Sequence, residues 1–338
     1  MILRTPRHKP SLIARRGRLA LTLALVSLLA AGAAAGYTAS AAPSHRSAAT
    51  RGVEAASASS GTSYVTALVS AAGRIKSVPS GLTPALQDAA NDTGSVDLDP
   101  SGCNPATTAT TVPSCTFGDT HSSKTIVLMG DSHAQMWFPA FVQIADQLGD
   151  KLVVLTKASC PAADLDVYDY QRNVPYVECS KFHQFAIARA KQLKPAILVL
   201  ASLARGIGLA SNFHYQVTNA QWQAGLAKTL LAIPAQKKVI IGDIPFLGVN
   251  GGPDCLAANE SNVQACSDSE AAATSQLKVS AEEAAAAQTH ATYINTTPWF
   301  CAQSRCYAVI GNYDVYSDPA HITVTYSMFL SRALQASL

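Results

Sequence analysis

The chain has 338 residues, of which 48% are hydrophobic and 14% charged, with a formal net charge of +3. That length suits one large core, or one domain with an appendage. Arg4, Arg7, Lys9, Arg15, Arg16 and Arg18 precede any acidic residue; without them 19 Lys and Arg face 22 Asp and Glu, a mildly acidic balance that gives no sign of nucleic-acid binding.

The basic start runs into LALTLALVSLLAAGAAAG (19–36), apolar and uncharged, and small residues follow at Ala39 and Ala41. This is the order of a secretory signal cleaved near Ala41 or Ala42. The competing reading is a membrane anchor, since a run of about 18 residues lies at the lower edge of a transmembrane span; its Ala-rich composition weakens anchoring. Arg15-Arg16 hint at a twin-Arg signal, but the residues after them fit poorly. The sequence thus divides into a signal peptide or signal anchor (1–41), a flexible Ser/Ala-rich tether (42–62), an irregular N-terminal extension (63–118) and a main domain (119–338). The tether has too little apolar area to order itself. In the extension, residues 63–75 (SYVTALVSAAGRI) have helical spacing. Residues 78–118 are dense in Pro, Gly, Asp, Asn and Thr.

Eight cysteines allow 105 pairings. Sequence order favours neighbours: Cys103–Cys115, Cys160–Cys179, Cys255–Cys266 and Cys301–Cys306, each closing a short loop worth about 2–3 kcal/mol. Metal binding is the weaker reading, because no Cys-x-x-Cys or Cys/His cluster has zinc spacing, and no metal is expected. The count fits an oxidising compartment: an exported, extracytoplasmic protein, secreted or tethered to the outer face of the cytoplasmic membrane.

From Lys124 onward short apolar runs alternate with amphipathic stretches. Strands are predicted at 124–129, 151–156, 196–201, 237–242 and 291–296, and helices near 134–148, 179–194, 218–232, 268–288 and 322–337. Continuous apolar strands between helices imply a parallel sheet covered on both faces. The fold class is α/β: a three-layer α/β/α sandwich with a mostly parallel five-stranded sheet, flavodoxin-like, whose sites lie at the C-terminal strand ends.

The first predicted strand ends on Gly130-Asp131-Ser132-His133. Ser132 at a helix start reads either as an N-cap or as a nucleophile, with unpaired N–H groups nearby to stabilise negative charge. Gly130 would let the backbone turn sharply. A serine hydroxyl needs a base, usually a His held by a carboxylate. Asp318 and His321 stand three apart in the loop before the last helix, on the same sheet edge, with Pro319 stiffening the link. The bland alternative is a turn at Asp318-Pro319 and a surface or capping His321.

Together LMGDSHAQMWFPAF (128–141), TKASCPA (156–162) and YSDPAHIT (316–323), with lead-in segments LTPALQDAANDT (82–93) and CTFGD (115–119), resemble the SGNH (GDSL-like) hydrolase superfamily. They are most similar to the extracytoplasmic SGNH domain fused to acyltransferase-3 membrane proteins. The resemblance covers about residues 63–338. It implies the SGNH-hydrolase fold, with Ser132 as nucleophile, His321 as general base and acid, Asp318 orienting His321, an acyl-enzyme intermediate, and the Ser132 backbone N–H as one oxyanion donor. Typical members draw further donors from a Gly after the second strand and an Asn after the third. Here those loops read Lys157-Ala158-Ser159-Cys160 and LASLARGIGLASN (200–212), so the second donor is unassigned; Gly206, Gly208 and Asn212 are candidates. His133 reads as a hydrogen-bonding neighbour of the nucleophile, and His183 and His214 as surface or satisfied groups. Trp137 reads as core, Trp299 and Cys301 as shaping an entrance, and Asp243 as a minor candidate for substrate contact.

Two functions follow. The first is a serine-dependent O-acyl transferase or esterase acting on acyl esters of envelope glycans. Its partners would be an acyl donor and a glycan acceptor, with a separate membrane acyltransferase as a possible third, since only one apolar segment is long enough to enter a membrane. The alternative is a catalytically weak or inactive domain that binds a glycan or a partner. No organic cofactor is expected, because triad chemistry needs none.

Overall fold

The computed structural model describes residues 61–248 and 251–338, excluding the side chains of 212–215. The leader over 1–41 and the tether up to residue 60 lie outside the described residues. Residues 61 and 62, counted in the tether by sequence, already belong to helix α1, residues 61–72.

The main sheet has six strands. They are β1 (Thr116–Gly118), β2 (Thr125–Gly130), β3 (Lys151–Thr156), β4 (Ile197–Ala201), β5 (Lys237–Ile241) and β6 (Thr292–Ile294). Their order is β1-β3-β2-β4-β5-β6. The last five are parallel, while β1 runs antiparallel along β3. The sequence expectation of five strands is therefore one short. The missing one is a three-residue edge strand, half-buried, with no apolar run to announce it. Every residue of β2 is buried, and all of β3 but Lys151, as expected for strands covered on both faces.

The helices that matter here are α2 (Ser132–Gln135), α3 (Phe138–Leu148), α4 (Val177–Leu193), α5 (Asn219–Ala232), α6 (Val279–Thr289) and α7 (Val324–Ser337). The chain steps from β2 to β3 in one direction, then from β3 through β4 and β5 to β6 in the other. Right-handed crossovers therefore put α3 on one face and α4, α5 and α6 on the other. Helix α7 packs on α3, and α6 on α5, which completes the three layers.

Two predicted helices are broken. The first splits into α2 and α3 because Pro139, which lacks an N–H, starts a new helix after Trp137. The stretch near 268–288 splits into Glu270–Thr274 and α6. Its Ala273 carbonyl accepts the N–H of Phe246, from the loop after β5, instead of continuing the helix.

The segment 63–118 shares the core of the main domain. Val65, Val69 and Ala72 of α1 are buried in it, β1 joins the sheet, and Asp92 accepts the N–H of Val324 at the start of α7. The eight cysteines form the pairs Cys103–Cys115, Cys160–Cys179, Cys255–Cys266 and Cys301–Cys306. Strand order reverses at β2, between β3 and β4, and that switch point is where open α/β sheets hold their ligands.

Candidate active site

Gly130 ends β2 with φ 150°, and a Cβ there would collide with the Ala201 carbonyl of β4. The chain can therefore turn tightly against the neighbouring strand only with glycine at this position. Asp131 follows as the N-cap of α2. Its carboxylate accepts the N–H of His133 at 2.8 Å and that of Leu203, beyond β4, at 3.0 Å. Capping thus falls to Asp131, and the Ser132 hydroxyl is left for another partner.

That partner is His321, whose Nε2 lies 2.8 Å from Ser132 Oγ. On the other side of the ring, Nδ1 lies 2.8 Å from Asp318 Oδ2. The Asp318 carboxylate also accepts the N–H of Ala320 at 2.7 Å and of His321 at 2.9 Å. A carboxylate only accepts, so Nδ1 carries the proton and Nε2 is free to accept from the serine hydroxyl. Burial works against the Asp318 charge. The hydrogen bond and charge of His321 and the two N–H groups outweigh it, so the carboxyl titrates below its usual range. The loop is pinned by Tyr316 pairing with Ile322 and by the Ser317 N–H on the His321 carbonyl. The three residues singled out by sequence, 189 positions apart at the extremes, meet in one hydrogen-bonded line.

Beneath this line lies a second pair that the sequence did not reveal. His133 packs its ring 4.9 Å from that of His321. Its Nδ1 is 2.5 Å from Asp243, in the loop after β5. Asp243 also accepts the N–H groups of Ile244 at 2.8 Å and Ala204 at 3.0 Å. Burial opposes the His133 imidazolium, but the Asp243 carboxylate, with help from Asp131, pushes its pKa above the usual histidine value. Burial likewise opposes the Asp243 charge; His133, Arg205 and the Ala204 N–H pull its pKa down. Asp243 does not line the pocket at Ser132 and spends both carboxylate oxygens on protein donors, so it supports the floor of the site. The only sequence signals were its place after a strand and that of His133 beside Ser132.

Two oxyanion candidates fall away. Gly208 pairs with Gln216 in a hairpin, and neither Gly208 nor Gly206 lines the pocket at Ser132. The third-strand loop does offer N–H groups, but Leu203 and Ala204 give theirs to Asp131 and Asp243. On the other side, Gly130 of β2 is in register with Thr156 of β3. Two residues further along each parallel strand come Ser132 and Ala158, both lining a pocket of about 190 Å³ with His321, Asp318 and Met136. Next to Ala158, fully buried Lys157 donates to the carbonyls of Ala106, Thr107 and Ala109 at 2.8–2.9 Å. Lys157 thereby ties the Cys103–Cys115 loop to the site. Thr93, Gly94, Ser95 and Asn104 from the extension, and Gln135 from α2, complete the wall. Thr93 and Gln135 lie in quoted motifs, but the sequence singled out none of these five.

Trp299, 3% exposed, packs edge-on against buried Trp137, and Cys301 is 7% exposed; neither lines the pocket, so they form core and not an entrance. His183 is buried, with Nε2 2.6 Å from the Pro161 carbonyl. It comes together with Cys160 and Cys179, but those two sulfurs are bonded to each other. The His214 side chain lies outside the described residues.

The family model described as the SGNH domain fused to AT3 domains matches residues 101–336. No curated protein matches the chain. Among solved structures, the chain is similar to the lipopolysaccharide acetyltransferase periplasmic domain of Salmonella ser. Paratyphi A. Identity is 19% and the TM-score 0.48, over 63% of this chain and 82% of that one.

Proposed function

The chain belongs to the SGNH family, in the form described as fused to AT3 domains, and on that premise we propose that it is an exported serine-dependent O-acyl transferase or esterase. Its substrates are acyl esters, acetyl foremost, of cell-envelope glycans. The observation that carries this reading is the Ser132–His321–Asp318 line, with 2.8 Å at each junction.

In this mechanism His321 Nε2 takes the Ser132 proton as Oγ attacks the ester carbonyl. Asp318 holds the ring in the required tautomer and stabilises the imidazolium that forms. The backbone N–H groups of Ser132 and Ala158 receive the oxyanion; each such donor is worth about a hundredfold or more in rate. His321 then gives its proton to the leaving oxygen, and an acyl-Ser132 ester remains. Water or a sugar hydroxyl attacks it, passing its proton back through His321 to Ser132. A separate membrane acyltransferase supplies the acyl group in the transferase form. Four disulfides support an oxidising, extracytoplasmic location.

The rival reading, a glycan- or partner-binding domain without turnover, draws on the third-strand loop, whose Leu203 and Ala204 N–H groups are engaged by Asp131 and Asp243. Turnover of p-nitrophenyl acetate by the protein and by Ser132→Ala separates the two. Release that depends on Ser132 is the expected result. Equal release from both proteins would favour the binding domain.

A further inference from the structure

Gln135 lies one turn after Ser132 on α2, on the same side of the helix, lines the pocket and is 1% exposed. Its Nε2 donates to Asn104 Oδ1 at 3.0 Å, and Asn104 Nδ2 donates to the Asp99 carboxylate at 2.9 Å. This chain of bonds has a direction. The carboxylate can only accept, which fixes the Asn104 amide; the Asn104 oxygen can only accept, which fixes the Gln135 amide. Gln135 Oε1 is left as a buried acceptor with no partner among the described residues. An unmet buried acceptor costs about 1–3 kcal/mol, and a hydroxyl brought by a ligand would satisfy it once the Gln135 side chain turns Oε1 toward the pocket that the residue lines. The wall around it is neutral: Thr93 and Ser95, whose hydroxyls lie 3.3 Å apart, with Asn104 and Met136. Apart from the His321–Asp318 pair, no lining side chain among the described residues is charged. Such a wall suits a neutral sugar better than a carboxylate or a phosphate. Gly94 lets this wall close on α2, since a Cβ there would collide with the Gln135 carbonyl.

We infer that Gln135 Oε1 is a specificity-determining acceptor that receives a hydrogen bond from a neutral sugar, donated by a hydroxyl adjacent to the one being acylated. This rests on the acyl-enzyme reading above. The reacting hydroxyl must keep its own proton for His321 Nε2. As its oxygen bonds to the acyl carbon, the bond from that carbon to Ser132 Oγ breaks, and the proton passes through His321 to Ser132. Gln135 therefore holds the neighbouring hydroxyl and turns the reacting one toward the ester.

The test is a competition for the acyl-enzyme formed from p-nitrophenyl acetate. Methyl β-D-glucopyranoside, which has adjacent hydroxyls, competes with ethanol, which has only one. The readout is the ratio of acetylated glucoside to ethyl acetate at equal acceptor concentrations, which does not depend on how much acyl-enzyme each variant forms. Wild type is expected to prefer the glucoside. Gln135→Met should cut that preference about tenfold, the worth of one such hydrogen bond. Asn104→Ala, which releases the Gln135 amide, should cut it in the same direction. A preference unchanged in Gln135→Met, or absent in wild type, overturns the inference and leaves the acyl-enzyme standing. A protein that releases no nitrophenol through Ser132 overturns the proposed function, and this inference with it.

Discussion

Asp243→Asn should cost both stability and activity, although Asp243 does not reach the pocket. The Asp243 carboxylate meets three donors: His133 Nδ1 and the Ile244 N–H on Oδ1, and the Ala204 N–H on Oδ2. An asparagine offers one oxygen and one NH2. If the oxygen stays with His133 and Ile244, the NH2 confronts the Ala204 N–H. If the amide flips, two donors are stranded. Each stranded buried donor costs about 1–3 kcal/mol. The charge that raises the His133 pKa is lost as well, and removing one partner of a buried pair costs about 3–5 kcal/mol in all. The expected loss is thus about 3–5 kcal/mol in urea denaturation at pH 7. Because His133 packs against His321, nitrophenyl acetate turnover should fall too. A double-mutant cycle with His133→Gln should give a coupling of about 2 kcal/mol or more, since the two side chains act as one unit. Asp243→Asn within about 1 kcal/mol of wild type, or a coupling near zero, would refute the claim that this pair forms the floor of the site.

Other expected outcomes are open to direct checks. Lys157→Met leaves three carbonyls of the Cys103–Cys115 loop without their ammonium partner; at about 1–3 kcal/mol per unmet group, calorimetry should show a loss of about 3 kcal/mol or more. Burial pushes the Glu282 carboxyl from its ordinary 4.5 up to about 8, so the native state keeps a proton that the unfolded chain releases. Wild-type stability should accordingly fall by a few kcal/mol as pH rises from about 4.5 to about 8 and then level off. Burial also raises Asp314, to about 7, so the difference between the pH curves of wild type and Glu282→Gln isolates Glu282. A flat difference curve would contradict the assignment. Replacing Cys103 and Cys115 by serine opens a loop of sequence separation 12 and should cost about 3 kcal/mol. It should also weaken the glucoside preference by loosening Asn104, measured in the same competition.

Much of this architecture is readable along the chain, because buried parallel strands are continuous apolar runs and five of the six announce themselves. The edge strand Thr116–Gly118 does not, since only its pairing with β3 makes it a strand. The Ser132 question had two answers in sequence because capping depends on a one-residue offset. The fold resolves it by giving the cap to Asp131 and the serine to His321. The His133–Asp243 pair was out of reach because no motif in the chain ties the two residues together, 110 positions apart, as the serine, histidine and aspartate motifs tie Ser132 to His321. So was the polar wall of the pocket, where Asn104 and Thr93–Ser95 take their places from how the extension folds back. That path is set by contacts such as Lys157 with Ala106, some 50 residues away, and no local pattern encodes it.

The most direct test of the central claim is to trap the acyl-enzyme. Protein mixed briefly with p-nitrophenyl acetate, quenched in acid, digested and weighed by mass spectrometry should carry one acetyl group on the peptide containing Ser132. Ser132→Ala should carry none, and His321→Asn far less than wild type. An acetyl group on another residue, or none on Ser132 while nitrophenol is being released, would contradict the account.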